Sequence, residues 1–115
     1  MCGIAIAIGL NGRPIERVAI ERMAKSLFHR GPDDSGIYLD GAVGMGFRRL
    51  SILDLSEAGH QPMVSEDEQY VLVFNGEIFN YVELRSELRQ LGYQFRSSGD
   101  SEVLLAAYRE RGREC

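Results

Sequence analysis

The chain opens Met1-Cys2-Gly3-Ile4-Ala5-Ile6-Ala7-Ile8-Gly9. From Gly3 to Gly9 large and small apolar residues alternate without a charge. The pattern predicts a strand buried on both faces, because a solvated face would carry polar side chains. A leader peptide would need a basic segment ahead of a longer apolar run, and a membrane span about 20 apolar residues. Neither is present, so the start of the chain is expected to be pinned inside a sheet.

Cys2 stands one residue ahead of that strand. Removal of Met1 would put a thiol and a free α-amino group on one residue. Such an amine titrates near pKa ~8 and is partly neutral at cellular pH. The thiolate is the nucleophile of a cysteine, and a neutral amine can take its proton. An N-terminal nucleophile that uses its own amine as base is an established solution to acyl transfer. The competing reading is a chance cysteine in a loose terminus.

Outward from this stretch, composition narrows the class. The 115 residues hold 44% apolar and 26% charged side chains, ordinary for a globular protein with one core. A net charge of −4 and the lack of a Lys/Arg cluster argue against a nucleic-acid partner. Cys2 and Cys115 lie at opposite ends, which points away from a disulfide framework and toward a reducing cytoplasm. His29 and His60 are isolated and show no metal-ligand spacing. No repeat, low-complexity tract or linker marks an internal boundary.

Asn11-Gly12 signals a turn, and Pro14 suits the first position of a helix. Ile15, Val18, Ala19, Met23 and Leu27 then fall at helical spacing, predicting an amphipathic helix of about four turns laid on the sheet. His29-Arg30-Gly31-Pro32-Asp33-Asp34-Ser35-Gly36 reads as a loop, with Pro32 stopping the helix. The adjacent carboxylates there serve either a metal or, more ordinarily, turns and caps. Strands are expected at 37–39 and 42–47, joined at Asp40-Gly41. Arg48 and Arg49 close the second of these. Because alternate strand residues face opposite ways, one of the two can enter a cleft, and a guanidinium fork suits a carboxylate.

Ser56 to Met63, with His60, reads as a loop, followed by a strand over Tyr70–Phe74. Asn75-Gly76 is either a hairpin turn or a pair of oxyanion donors, the Asn75 amide and the Gly76 N–H. Asn80 and Glu83 fit a capping box, ahead of a helix with a Leu84, Leu88, Leu91 stripe ending at Gly92. Gln94-Phe95-Arg96 reads as a short strand. Asp100 or Ser101 can cap a last helix that runs through Val103, Leu104, Ala107 and Tyr108 to Gly112. A phosphate loop of the ATP-pyrophosphatase kind at Ser97–Ser101 is rejected, since paired glycines and a preceding buried strand are missing.

Met1-Cys2-Gly3-Ile4, Arg30-Gly31-Pro32-Asp33, Arg49-Leu50-Ser51-Ile52, Asn75-Gly76-Glu77-Ile78 and Ser98-Gly99-Asp100-Ser101-Glu102 occur in the order found in class II glutamine amidotransferase domains. The form most resembles the N-terminal glutaminase domain of glutamine-hydrolysing asparagine synthetases. It is less similar to the phosphoribosyl-pyrophosphate and hexosamine members, and Cys2 separates it from the β-lactam synthetase relatives that lost the nucleophile.

The resemblance implies an α+β fold, a four-layer αββα sandwich of the N-terminal-nucleophile hydrolase type, of which residues 1–115 are the N-terminal part. It implies Cys2 as nucleophile and Asn75 and Gly76 as oxyanion hole. Arg49 would grip the α-carboxylate of L-glutamine, Glu77 and Asp100 would face its α-ammonium, and Ile52 and Leu53 would offer backbone contacts. Ammonia released through a Cys2 thioester would feed ATP-dependent asparagine synthesis from aspartate in a downstream synthetase domain. That domain, outside this segment, would hold ATP and Mg, and no cofactor or metal is expected here. The parent would be cytoplasmic, free of membrane and nucleic-acid partners, and admits a homodimer. By itself the 115-residue piece is expected to show little or no glutaminase activity. The alternatives are an acceptor other than aspartate, or a non-catalytic fragment that binds glutamine or pairs with another chain.

Overall fold

Three glycines on one face of a sheet, Gly3, Gly44 and Gly46, decide where the first helix lies. In the computed structural model, which describes residues 1–52 and 55–115, they belong to β1 (Gly3–Ile8) and β3 (Val43–Arg49). With β2 (Asp34–Asp40) these form an antiparallel sheet in the order β1-β3-β2. Gly3 stands opposite Arg48, and Gly36 of β2 opposite Phe47. A Cβ at Gly44 would lie 2.6 Å from the Ile20 side chain, one at Gly46 3.0 Å from Ala24, and one at Gly3 2.9 Å from Leu27. The bare backbone is therefore a bed for helix α1 (Arg17–Ser26), whose buried stripe is Ile20 and Ala24.

This corrects the expected helix in two ways. Val18, Ala19 and Met23 lie outside the stripe that faces the sheet, which is buried Ile20 and Ala24 followed by half-buried Leu27 at i, i+4, i+7. Pro14 is not the first helical residue either. The Ile15 N–H is bonded to the Gly41 carbonyl at 3.0 Å, tying this segment to the β2–β3 turn, and the helix starts at Arg17. The expected Asp40-Gly41 turn is present, with Gly41 at φ 50°. Strand β2 is longer than expected: Asp34, Ser35 and Gly36 belong to it and not to the preceding loop.

The two-sided burial expected for β1 is also corrected. Gly3 and Ala5 are buried, but on the other face exposure rises from 37% at Ile4 to 46% at Ile6 and 68% at Ile8. β1 is an edge strand of the three-stranded sheet, and among the described residues nothing covers these isoleucines fully. Residues 60–62, with a cis Gln61–Pro62 bond, cover the β2 side of that same face at Gly36.

Two compact units result. The first is Met1–Ser51 with His60–Pro62 and Val73–Asn75, and the second is Ile52–Gly59, Met63–Leu72 and Gly76–Cys115. Absence of a linker-like stretch gave no hint of this, because the chain enters and leaves each unit more than once.

The second unit is built on two helices, α2 (Tyr81–Gln90) and α3 (Asp100–Arg111). Leu88 packs with Val103, Ala106 and Ala107, flanked by Tyr81, Leu84, Tyr93 and Phe95. Gly92, at φ 99°, ends α2: its N–H bonds to the Arg89 carbonyl at 3.0 Å and the Tyr93 N–H to the Leu88 carbonyl at 3.0 Å. This is the paired-bond stop that glycine permits. Asn80 flanks α2 as expected but makes no side-chain cap bond, so the capping box is not formed.

The expected strand at Gln94–Arg96 is absent, and its donors show why. The Glu102 carboxylate accepts from the backbone N–H of Arg96 (3.0 Å) and Ser97 (2.7 Å) and from the Ser97 hydroxyl. Those groups are spent on a side chain and do not seek a ladder. The Tyr70–Phe74 strand shrinks to β5 (Val71–Leu72), paired with β4 (Met63–Val64), which starts at the last residue of the expected 56–63 loop. Nearby, the Ser65 hydroxyl bonds to Asp67, and this bond chiefly holds the Asp67 carboxyl below its ordinary range. Burial, helped by its bond to Glu110, pushes the Tyr93 phenol above its usual value. Among the described residues no helix is long and apolar enough to cross a membrane.

Candidate active site

Strand β3 carries the two arginines to the end of the sheet on opposite faces, as strand alternation requires. Arg48 shares the face of Gly44 and Gly46. Its guanidinium stacks on Phe28 at 4.8 Å, and its Nε donates to the Gly31 carbonyl at 2.9 Å. Arg49 lies on the other face and is only 8% exposed. Arg48 is thus occupied in fastening the loop after α1, and Arg49 is buried on the opposite face of the strand.

The next residue, Leu50, seats the candidate nucleophile. Its N–H donates to the Cys2 sulfur at 3.3 Å, and its carbonyl lies 3.7 Å from the same sulfur. Arg30 Nε donates to the Cys2 carbonyl at 3.0 Å. Both side-chain and backbone ends of Cys2 are therefore held by named partners, although the terminus ahead of it is open, Met1 being 72% exposed.

The Arg30-Gly31-Pro32-Asp33 stretch builds this seat. Gly31 lies so close to the Arg48–Arg49 peptide that a Cβ would overlap its backbone atoms. The Asp33 N–H bonds to the Arg49 carbonyl at 3.0 Å, and Asp33 Oδ2 accepts from the Ser51 N–H at 2.8 Å. One residue thus brackets Leu50 on both sides. Asp34 bonds to Ser35 and, at 2.7 Å, to His60 Nδ1. The Asp-Asp pair serves the turn and the adjoining loop. Arg30 and Asp33 were visible in the sequence as part of a motif, but no sequence signal gave them these partners.

Asn75 belongs to the same unit as Cys2 and Arg49, whereas Ile52, Gly76, Glu77 and Asp100 belong to the second. Asn75 and Gly76 do not make a hairpin, since no strand follows them before α2. Asn75, Gly76 and Glu77 are all exposed, as is Ile52. Asp100 is buried, and its Oδ2 accepts from the Ile78 N–H at 2.9 Å, an anchor for the loop that carries Glu77. It opens α3 without capping it; Gly99 is the flanking residue. Leu53 lies outside the described residues. An open groove of about 1070 Å³ in the second unit, lined by Ser65, Glu66, Arg96, Glu102 and Arg109 among others, contains none of the expected site residues.

Cys2 is thus seated on Leu50, the residue that follows buried Arg49. The chain belongs to the glutamine amidotransferase domain family, whose model matches residues 1–115. It is 50% identical over 115 residues to asparagine synthetase [glutamine-hydrolyzing] 1 of Bacillus subtilis, a match covering 95% of this chain and 18% of that protein. Asparagine synthetase [glutamine-hydrolyzing] 2 of the same organism is 41% identical over 115 residues (97% and 15%). Asparagine synthetase [glutamine-hydrolyzing] 1 of Arabidopsis thaliana is 38% identical over 113 residues (97% and 19%). The chain therefore spans less than a fifth of the length of these relatives.

Proposed function

We propose that this chain carries the glutamine-hydrolysing chemistry of an asparagine synthetase, with Cys2 as the nucleophile. The observation that carries the reading is the Cys2 thiol seated on Leu50, next along β3 from buried Arg49. With Met1 removed, the α-amine takes the thiol proton as the sulfur attacks the side-chain amide carbon of glutamine. Asn75 and Gly76 stabilise the oxyanion that forms. Collapse of that intermediate breaks the C–N bond, and the amine returns its proton to the leaving ammonia. Water then cleaves the glutamyl thioester to glutamate and restores the thiol.

Arg49 receives the substrate α-carboxylate, while Glu77 and Asp100 supply the negative charge for its α-ammonium. Ile52 and Leu53 contribute backbone contacts. Ammonia passes to a synthetase domain elsewhere in the parent protein, where ATP and Mg act. The names of the relatives favour aspartate as acceptor.

The uncovered isoleucines of β1 support the finer fold reading, a four-layer αββα sandwich in which a second sheet packs on the face away from α1. A structure of the full-length protein with Ile6 and Ile8 still in water would sink that reading.

The clamp is tested by charge-conserving substitution. Arg49→Lys keeps the charge and loses the planar fork, so glutamine binding by the full-length protein should weaken by about 1–3 kcal/mol. Arg48→Lys should leave binding nearly unchanged, since Arg48 is committed to Phe28 and Gly31 on the opposite face. If titration calorimetry gives the reverse order, the carboxylate clamp is the other arginine.

A further inference from the structure

Residues 73–75 follow β5 but pair with no strand among the described residues, so their backbone donors need other acceptors. The Phe74 N–H finds one in a side chain: Gln61 Oε1 accepts it at 2.6 Å. Gln61 is only 4% exposed. Burying a glutamine costs rotamer freedom and desolvation, which an apolar residue would avoid, so the hydrogen bond is what the site gains in return.

The anchor itself is fixed to the sheet. The Gln61 carbonyl lies against Gly36 so closely that any Cβ there would overlap it. One residue earlier, His60 Nδ1 is bonded at 2.7 Å to Asp34, which stands directly opposite Arg49 in the β2–β3 register. Sheet, loop 60–62 and the Phe74 peptide thus form one chain of contacts within the first unit. The bonded N–H belongs to the residue immediately before Asn75, which is itself exposed.

We infer that Gln61 is a positioning residue for the oxyanion hole: its buried side-chain carbonyl fixes the Phe74 peptide and thereby aims Asn75. The inference rests on the role proposed above for Asn75. It matters because an oxyanion donor acts only if it is already in place, and a misplacement of about 1 Å costs roughly 10²-fold in rate.

The test uses the full-length protein, with Gln61→Met, Gln61→Glu, Asn75→Ala and the Gln61→Met/Asn75→Ala pair. Gln61→Met fills the space without an acceptor. Its kcat for glutamine hydrolysis should fall roughly 10–100-fold while KM stays within about twofold. Gln61→Glu keeps an acceptor oxygen in the same place and should recover most of the rate. The double variant should be no more than about twofold slower than Asn75→Ala alone, because Gln61 acts through Asn75. Unchanged glutamine affinity checks folding. Should Gln61→Met fail that check, Gln61→Asn, polar but one methylene short of the Phe74 amide, is expected to give the same kcat loss.

Wild-type kcat in Gln61→Met, equal losses in the Met and Glu variants, or fully multiplicative losses in the double variant would each overturn the inference while leaving the Asn75 reading intact. Wild-type kcat in Asn75→Ala would remove the Asn75 reading, and this inference with it.

Discussion

Cys2→Ala is expected to abolish glutamine hydrolysis, lowering kcat by roughly 10⁴-fold or more. The substitution removes one sulfur and leaves Arg30, Arg49, Asn75 and Asp100 in place. Glutamine should still bind with near-native affinity, since the groups proposed to hold its charged end are untouched. Synthesis driven by supplied ammonia should persist in the full-length protein, because that route bypasses the thioester. Oxyanion donors alone leave only a residual rate, as they cannot replace the attacking atom. Near-native glutamine turnover in this variant would make Cys2 a bystander and place the nucleophile on another residue.

The second large effect is expected at a residue with no side chain to offer the substrate. Gly31→Ala adds one methyl group where Gly31 faces the Arg48–Arg49 peptide. The obstructing atoms are backbone, so no side chain can swing aside, and the strand end must move. Overpacking of this kind costs typically 1–3 kcal/mol, and the rigid neighbour places Gly31→Ala at about 3 kcal/mol. Amide hydrogen exchange along β3 should accelerate by roughly a hundredfold. Because Arg49 and the Leu50 seat of Cys2 lie on the displaced segment, both KM and kcat should worsen. Wild-type exchange and kinetics would show that the close approach is not a constraint.

How far the sequence carried these conclusions depended on whether a signal was local. Gly92 ends α2 and Gly41 turns the β2–β3 connection because each needs positive φ, a property of the residue itself. The opposite facing of Arg48 and Arg49 followed from strand alternation alone. Positions that depend on distant partners were misread. Apolar alternation in β1 could not reveal that β1 is an edge strand whose isoleucines stay exposed, since that depends on what packs against them. Gln94–Arg96 has strand-forming residues, yet Glu102, several positions later, takes its donors. The α1 stripe differs from its helical-spacing expectation because the glycines that select Ile20 and Ala24, Gly44 and Gly46, lie further along the chain in β3.

For the candidate site, residue types in motifs pointed to Cys2, Arg49 and Asn75. The residues that hold them, Arg30, Asp33 and Gln61, act through backbone groups, which leave no signature in side-chain chemistry. A buried glutamine in a Gly-His-Gln-Pro loop looks like any turn residue until its acceptor is seen to reach Phe74.

Formation of a glutamyl thioester on an N-terminal Cys2 can be read from the intact mass of full-length protein quenched with acid during glutamine turnover. The expected species is a chain lighter by its initiator methionine and carrying one glutamyl group, with fragmentation placing that group on Cys2 and none on Cys115. A chain that retains Met1 while turning over glutamine, or an acyl group found on any residue other than Cys2, would contradict it.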